Sequence, residues 1–139
     1  RERVGTTLTG LTTTGSNVFQ SRVFNLEESN LPAIIIYTKS EAGELLEMGS
    51  SRTLQRNLSL VVEAYVKAIS NFDDTIDTIA KEVEAAMAAD VTHNSLARDT
   101  FLESTEINYN GEGDQPIVVM EMTFSIIYLT TEAAPDSAL

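Results

Sequence analysis

The residue types able to do chemistry gather at a few points along the chain, the first around its single histidine. His93 lies in the polar segment Val91-Thr92-His93-Asn94-Ser95, with Asp90 and Asp99 nearby. These are the base, acid and hydroxyl of a nucleophilic triad. A triad also needs its serine presented on a sharp turn beside an oxyanion hole, and no nucleophile-elbow glycine pattern supplies one. The segment therefore reads as a loop carrying an exposed histidine. Residues 43–53, with Gly49-Ser50-Ser51-Arg52, have the look of a phosphate loop but lack the Gly-Lys-Ser/Thr ending that holds nucleotide phosphates and magnesium. The carboxylates of Asn110-Gly111-Glu112-Gly113-Asp114 do not follow helix-loop-helix calcium spacing and read as a solvated turn. Asp73, Asp74 and Asp77 are the densest acid cluster. They could share a hydrated magnesium ion if several subunits met there, but otherwise they are the acids that the start of a helix favours. Met120 and Met122 share a strand face as core filler. With no cysteine, thiolate nucleophiles and Cys-based metal sites are excluded. No catalytic residue and no cofactor is assigned, and the chain reads as a non-enzyme.

The elements that would position these residues follow from periodicity. Val4, Leu8 and Leu11 have helical spacing and predict a short N-terminal helix, though its threonines make it depend on docking. Residues 17–24 read as a first strand. Ala33-Ile34-Ile35-Ile36-Tyr37, after Leu31-Pro32, is apolar on both faces and predicts a strand covered on both sides. Residues 41–51 read as a mobile connection presenting Leu45, Leu46 and Met48. Leu58, Leu60, Val62, Ala64 and Val66 alternate with polar neighbours, which predicts a long half-buried strand. Ile76, Ile79, Ala80, Val83 and Met87 form the stripe of an amphipathic helix over residues 73–89, capped by Asp73 or Asn71. Residues 100–110 and 115–131 read as a hairpin turning through residues 111–114. The expected fold is α+β: one mostly antiparallel sheet with the long helix and the short N-terminal helix packed on it. It forms a single domain over residues 1–132, with residues 133–139 a disordered tail.

Composition narrows the partners. At 139 residues and 42% hydrophobic, the chain suffices for one packed core. Nine basic against twenty-one acidic residues give a net charge of -12, which repels DNA and anionic membranes. No apolar run approaches the ~20 residues of a membrane-spanning helix. A start on Arg1 without an apolar signal core suggests that earlier residues are missing or trimmed.

Read in order, Val18-Phe19-Gln20-Ser21-Arg22-Val23-Phe24 and Leu31-Pro32-Ala33-Ile34-Ile35-Ile36-Tyr37 resemble the start of the minor tail protein U family, the tail terminators of long-tailed bacteriophages. The likeness continues through residues 56–66, Asp73-Asp74-Thr75-Ile76-Asp77 and residues 117–131. Order and spacing carry it, since each motif alone is common. The resemblance implies a structural subunit without catalytic residues. Six copies would form a ring that caps the tail tube, stops its polymerisation and offers a surface to the head. The implied partners are the chain itself, the tail tube protein and a head-completion or neck protein. DNA would pass through the ring without specific binding. The implied location is the head-proximal end of the virion tail, after assembly in the host cytoplasm. A head-tail joining or tail-completion protein of the neck is the neighbouring reading, and a small-ligand-binding α+β domain a third.

A ring needs two different complementary patches on each subunit. Interfaces favour aromatic and arginine anchors, so the candidate contact residues are Phe19, Arg22, Ile35, Tyr37, Arg52, Tyr65 and Tyr128, with Leu45, Leu46 and Met48 on the connection expected to dock on the tube. The surplus acid suits a lumen that repels phosphate.

Overall fold

The alternating residues Leu58 to Val66 form the middle of the longest central strand in the computed structural model, which describes residues 1–21, 27–110 and 116–139. The elements in chain order are α1 (Glu2–Leu8), β1 (Val18–Phe19), a 3-10 turn (Glu28–Asn30), β2 (Ala33–Leu45), β3 (Thr53–Lys67), α2 (Phe72–Ala89), β4 (Asp99–Asn110), β5 (Ile117–Thr131) and β6 (Ala134–Ala138). The described strands make one sheet in the order β1-β2-β3-β5-β4, with β6 beside β5. All pairings are antiparallel except β1 with β2. The fold is α+β, with an open sheet and two helices.

Both helices lie on one face of the sheet. The even-numbered side chains of β3 and β5 point there, so Leu60, Val62 and Ala64 meet Val118, Met120, Met122 and Phe124. The α2 stripe of Ile76, Ile79, Val83 and Met87 closes over them, joined by Val4 and Leu8 of α1. Each such side chain removed from water contributes about 1.5–3 kcal/mol, which is what holds the threonine-rich α1 in place. Beyond α1 the chain turns through Gly10 and Gly15, whose φ of 91° and 55° suit residues without a Cβ.

Three features differ from the sequence expectations. The stretch 41–51, read as a mobile connection, is largely strand: β2 continues to Leu45 and pairs through Leu45↔Leu54, leaving residues 46–52 as the turn. Its Glu-Ala-Gly-Glu composition is poor for a strand, but the partner edge of β3 satisfies its backbone groups. The tail 133–139, expected to be disordered, forms β6. It is there because β5 outruns β4: β4 pairs only to Asp99↔Ile127, and β6 satisfies the next backbone groups, including Leu139 N–H to the Leu129 carbonyl at 2.8 Å. Of the two caps expected for α2, Asn71 holds the position, with a left-handed backbone (φ 68°) and no side-chain cap bond. Asparagine tolerates that conformation better than most residues. The third difference is the histidine loop, where His93 is buried. The turn expected at residues 111–114 and the end of the strand expected at 17–24 lie outside the described residues.

Candidate assembly interface

The hairpin arm, the open sheet face and the β4 edge each carry a grouping of apolar and charged side chains. The arm is built by β2 and β3 running past the core; from Thr38 onward β2 is exposed. A polar clip fixes it on the helix-side face. Arg56 Nη1 bonds to Glu41 Oε1 at 2.6 Å, Arg56 Nε donates to Thr130 Oγ1 at 2.9 Å, and the Tyr128 hydroxyl donates to Glu41 Oε2. Three strands are thus tied by four side chains. Partial burial would raise the Glu41 pKa, but the bonds from Tyr128 and Arg56 outweigh it and hold the carboxyl below its ordinary value. Burial and the bond to Glu41 push the Tyr128 phenol up to about 12. At the tip Leu45, Leu46 and Met48 are exposed, Met48 at 93%. Arg52 pairs with Glu132 at 3.7 Å, between two exposed side chains, a contact worth little by itself.

The face away from the helices carries a second, smaller apolar cluster of Ile35, Tyr37 and Val61, flanked by Phe19 and Tyr65. Glu63 sits among them and accepts both tyrosine hydroxyls, from Tyr37 at 2.7 Å and Tyr65 at 2.6 Å. Burial, then the Glu63 contact, raises the Tyr65 pKa. Glu63, Glu121 and Glu106 stand level on β3, β5 and β4, an acidic row across the sheet, with Lys39 Nζ 3.8 Å from Glu121. Like charges directly opposite on a sheet destabilise it, so this row opposes folding of the isolated chain.

Of the candidate contact residues, Leu45, Leu46, Met48 and Arg52 come together on the arm. Phe19, Ile35, Tyr37 and Tyr65 come together on the open face, where Ile35 and Tyr37 are enclosed by the chain's own side chains. Tyr128 belongs to the clip, and Arg22 lies outside the described residues. Sequence reasoning missed the exposed apolar groups of β4, Phe101, Ile107 and Tyr109. Tyr109 stacks on Phe72 with ring centroids 5.9 Å apart. The available signal was the polar spacing of Thr-Phe-Leu-Glu-Ser-Thr-Glu-Ile-Asn-Tyr, too sparse in apolar residues for a strand covered by core.

Of the triad residue types in this loop, His93 and Asp90 are each engaged elsewhere. His93, expected to be exposed, is 4% accessible, and its Nε2 lies 2.9 Å from Thr100 Oγ1. The reason is the turn itself: His93, Asn94 and Ser95 all have positive φ (49°, 61° and 66°), which curls the loop back and tucks the ring beneath it. Asp90 is engaged with the Thr92 hydroxyl at 2.9 Å and the Asn94 N–H at 2.8 Å. Those bonds, the hydroxyl's first, hold its carboxyl below the ordinary value. Burial lowers the His93 pKa against the opposing pull of Asp90. Asp73, Asp74 and Asp77 remain at the start of α2, and among the described residues no group of three or more acids or histidines is disposed to hold a metal ion. No described helix is long and apolar enough to cross a membrane.

Comparison with known proteins gives one family. The model for phage minor tail protein U matches residues 1–128. No curated protein matches the chain. Among solved structures, a chain of the virion of a native gene transfer agent particle is similar with a TM-score of 0.43 at 11% identity, covering 86% of this chain and 84% of that one.

Proposed function

Since the chain belongs to the phage minor tail protein U family and is a structural component of the phage tail, we propose that it is a tail terminator. Six copies close into a ring on the finished tube, stop its growth and present a surface to the head or neck. The family match over residues 1–128 carries this reading, and the distribution of exposed groups supports it. The acidic row of Glu63, Glu121 and Glu106 is the surface we assign to the lumen, where it keeps passing DNA from adhering. The helices then face outward. The arm, stiffened by the Glu41-Arg56-Tyr128 clip and tipped with Leu45, Leu46 and Met48, is the part we assign to the tube.

The test is complementation of a phage lacking the protein. A variant with Leu45, Leu46 and Met48 changed to serine is expected to form rings but to leave overlong or headless tails. Normal virions from that variant would remove the arm from the mechanism. A ring whose channel is lined by Lys and Arg, with the acids on its rim, would overturn the lumen assignment.

A further inference from the structure

We propose that neighbouring subunits join through their backbones: the outer edge of β4 in one copy adds antiparallel to the outer edge of β2 in the next. The sheet then runs unbroken around the ring. This rests on the ring reading above and specifies how the ring is held together.

Part of the backbone on each sheet edge is already bonded within the chain. The Ile34 N–H donates outward, to the Asn17 carbonyl at 2.8 Å. Backbone direction alternates along a strand, so Ile36 and Thr38 also face outward. One residue is inserted between Thr38 and Ser40, which shifts the alternation and turns Gly43 outward. The inward bond from Leu46 N–H to the Thr53 carbonyl, 3.0 Å, agrees with that parity. β1 pairs at Ile34 and Ile35 and so also takes the Ile36 N–H, and from Thr38 on the β2 edge has no strand beside it among the described residues.

The other end of the sheet is equally open. The Ala68 N–H bonds to the Pro116 carbonyl at 2.8 Å, continuing the β3·β5 ladder and placing the even-numbered groups of β5 toward β3. Its odd-numbered groups therefore meet Ser104, Glu106 and Asn108 of β4, which leaves Thr105, Ile107 and Tyr109 facing outward. Ile107 and Tyr109 are 56% and 61% exposed. Long exposed edges with apolar side chains are what natural sheets usually blunt, and β4 is twelve residues long.

The two edges fit each other. Each strand from β2 through β3 and β5 to β4 is antiparallel to the next, so β2 and β4 run in opposite directions. A second copy set alongside, with its sheet facing the same way, brings its β4 antiparallel to β2. The same operation repeated is head-to-tail and uses two different patches, as ring closure requires. A second copy is therefore the occupant, and backbone pairing supplies the contact.

Proline at Gly43 or Ile107 removes one outward N–H while keeping the inner ladders, and a Cβ at Gly43 meets nothing within 4 Å. Gly43→Pro and Ile107→Pro should each melt close to the parent yet remain monomeric, an about sixfold drop from the ring mass. Mixed in equal amounts they retain one good edge each, so they should pair once and stop at a dimer. Rings from either variant alone, or a mixture that stays monomeric, would overturn the proposal while leaving the ring reading intact. A parent that forms no ring would overturn both. Hydrogen exchange on the parent ring covers variants that fail to fold: slow exchange at Gly43 and Ile107 supports edge pairing, and exchange as fast as in the monomer contradicts it.

Discussion

Glu41 and Tyr128 meet across an intervening strand: the hydroxyl on β5 passes over β3 to reach the carboxylate on β2. Arg56 lies on the strand between them and binds the other carboxylate oxygen at 2.6 Å. Tyr128→Phe removes one member and leaves the packing. The loss should be about 0.5–1.5 kcal/mol, toward the lower end because water reaches the site. Hydrogen exchange should quicken along residues 53–58 and not in α2. Uniform change, or none, would mean that the clip does not hold the arm.

Acidification should release the same arm. The folded state holds Glu41 below its ordinary pKa of 4.5, so the clip's contribution is complete above that value. It is lost as pH falls through the lowered folded value. Protection along the arm, taken relative to the intrinsic exchange rate at each pH, should fall down this range in the parent and stay level in Glu41→Gln.

His93 acts in a higher window. Its folded pKa lies below the ordinary 6.5 because burial disfavours the imidazolium. Between the two values the unfolded chain binds the proton more readily. The contribution of the neutral ring is therefore full above pH 6.5 and falls as pH drops toward the folded pKa. Denaturation series should show this slope in the parent and not in His93→Gln. An imidazole titrating at or above 6.5 by NMR would contradict the buried neutral state.

The core makes a simpler prediction. Ile79 is fully buried on the α2 stripe against the sheet, and Ile79→Ala should cost about 2–5 kcal/mol in transfer and cavity terms. A loss under ~1 kcal/mol by chemical denaturation would mean that α2 does not close the core as described.

These elements differ in how far the sequence announced them. β3, β5 and α2 were legible because burial on one face imposes a period of two or 3.6 on residues such as Leu60, Val62, Ile79 and Val83. The outer half of β2 was not, since Glu41, Gly43 and Glu44 carry no such period and are ordered by pairing with β3. β6 was hidden for the same reason: Ala134–Ala138 is strand only because β5 outruns β4. Leu45, Leu46 and Met48 stood out as exposed apolar groups although their strand did not. Ile35 and Tyr37 stood out as two-sided, but the chain supplies their second cover through Phe19, Val61 and Tyr65. Burial of His93 follows from three consecutive positive φ angles, which residue type alone does not specify.

Removing the acidic row should raise the stability of the isolated chain. Glu106→Gln takes one charge from opposite Glu121, and relief of that repulsion is worth about 0.2–1 kcal/mol at low salt, less at high salt. If Glu106→Gln destabilises instead, the row is held by contacts not described above. Virions carrying the variant are expected to eject DNA more slowly, measured as the rate of genome release.

The central claim is assembly, and solution mass by light scattering across a wide range of protein concentration tests it most directly. A six-subunit mass, present outright or reached as concentration rises, is the predicted result. A monomer at every concentration, even with purified tube ends added, would contradict the terminator ring.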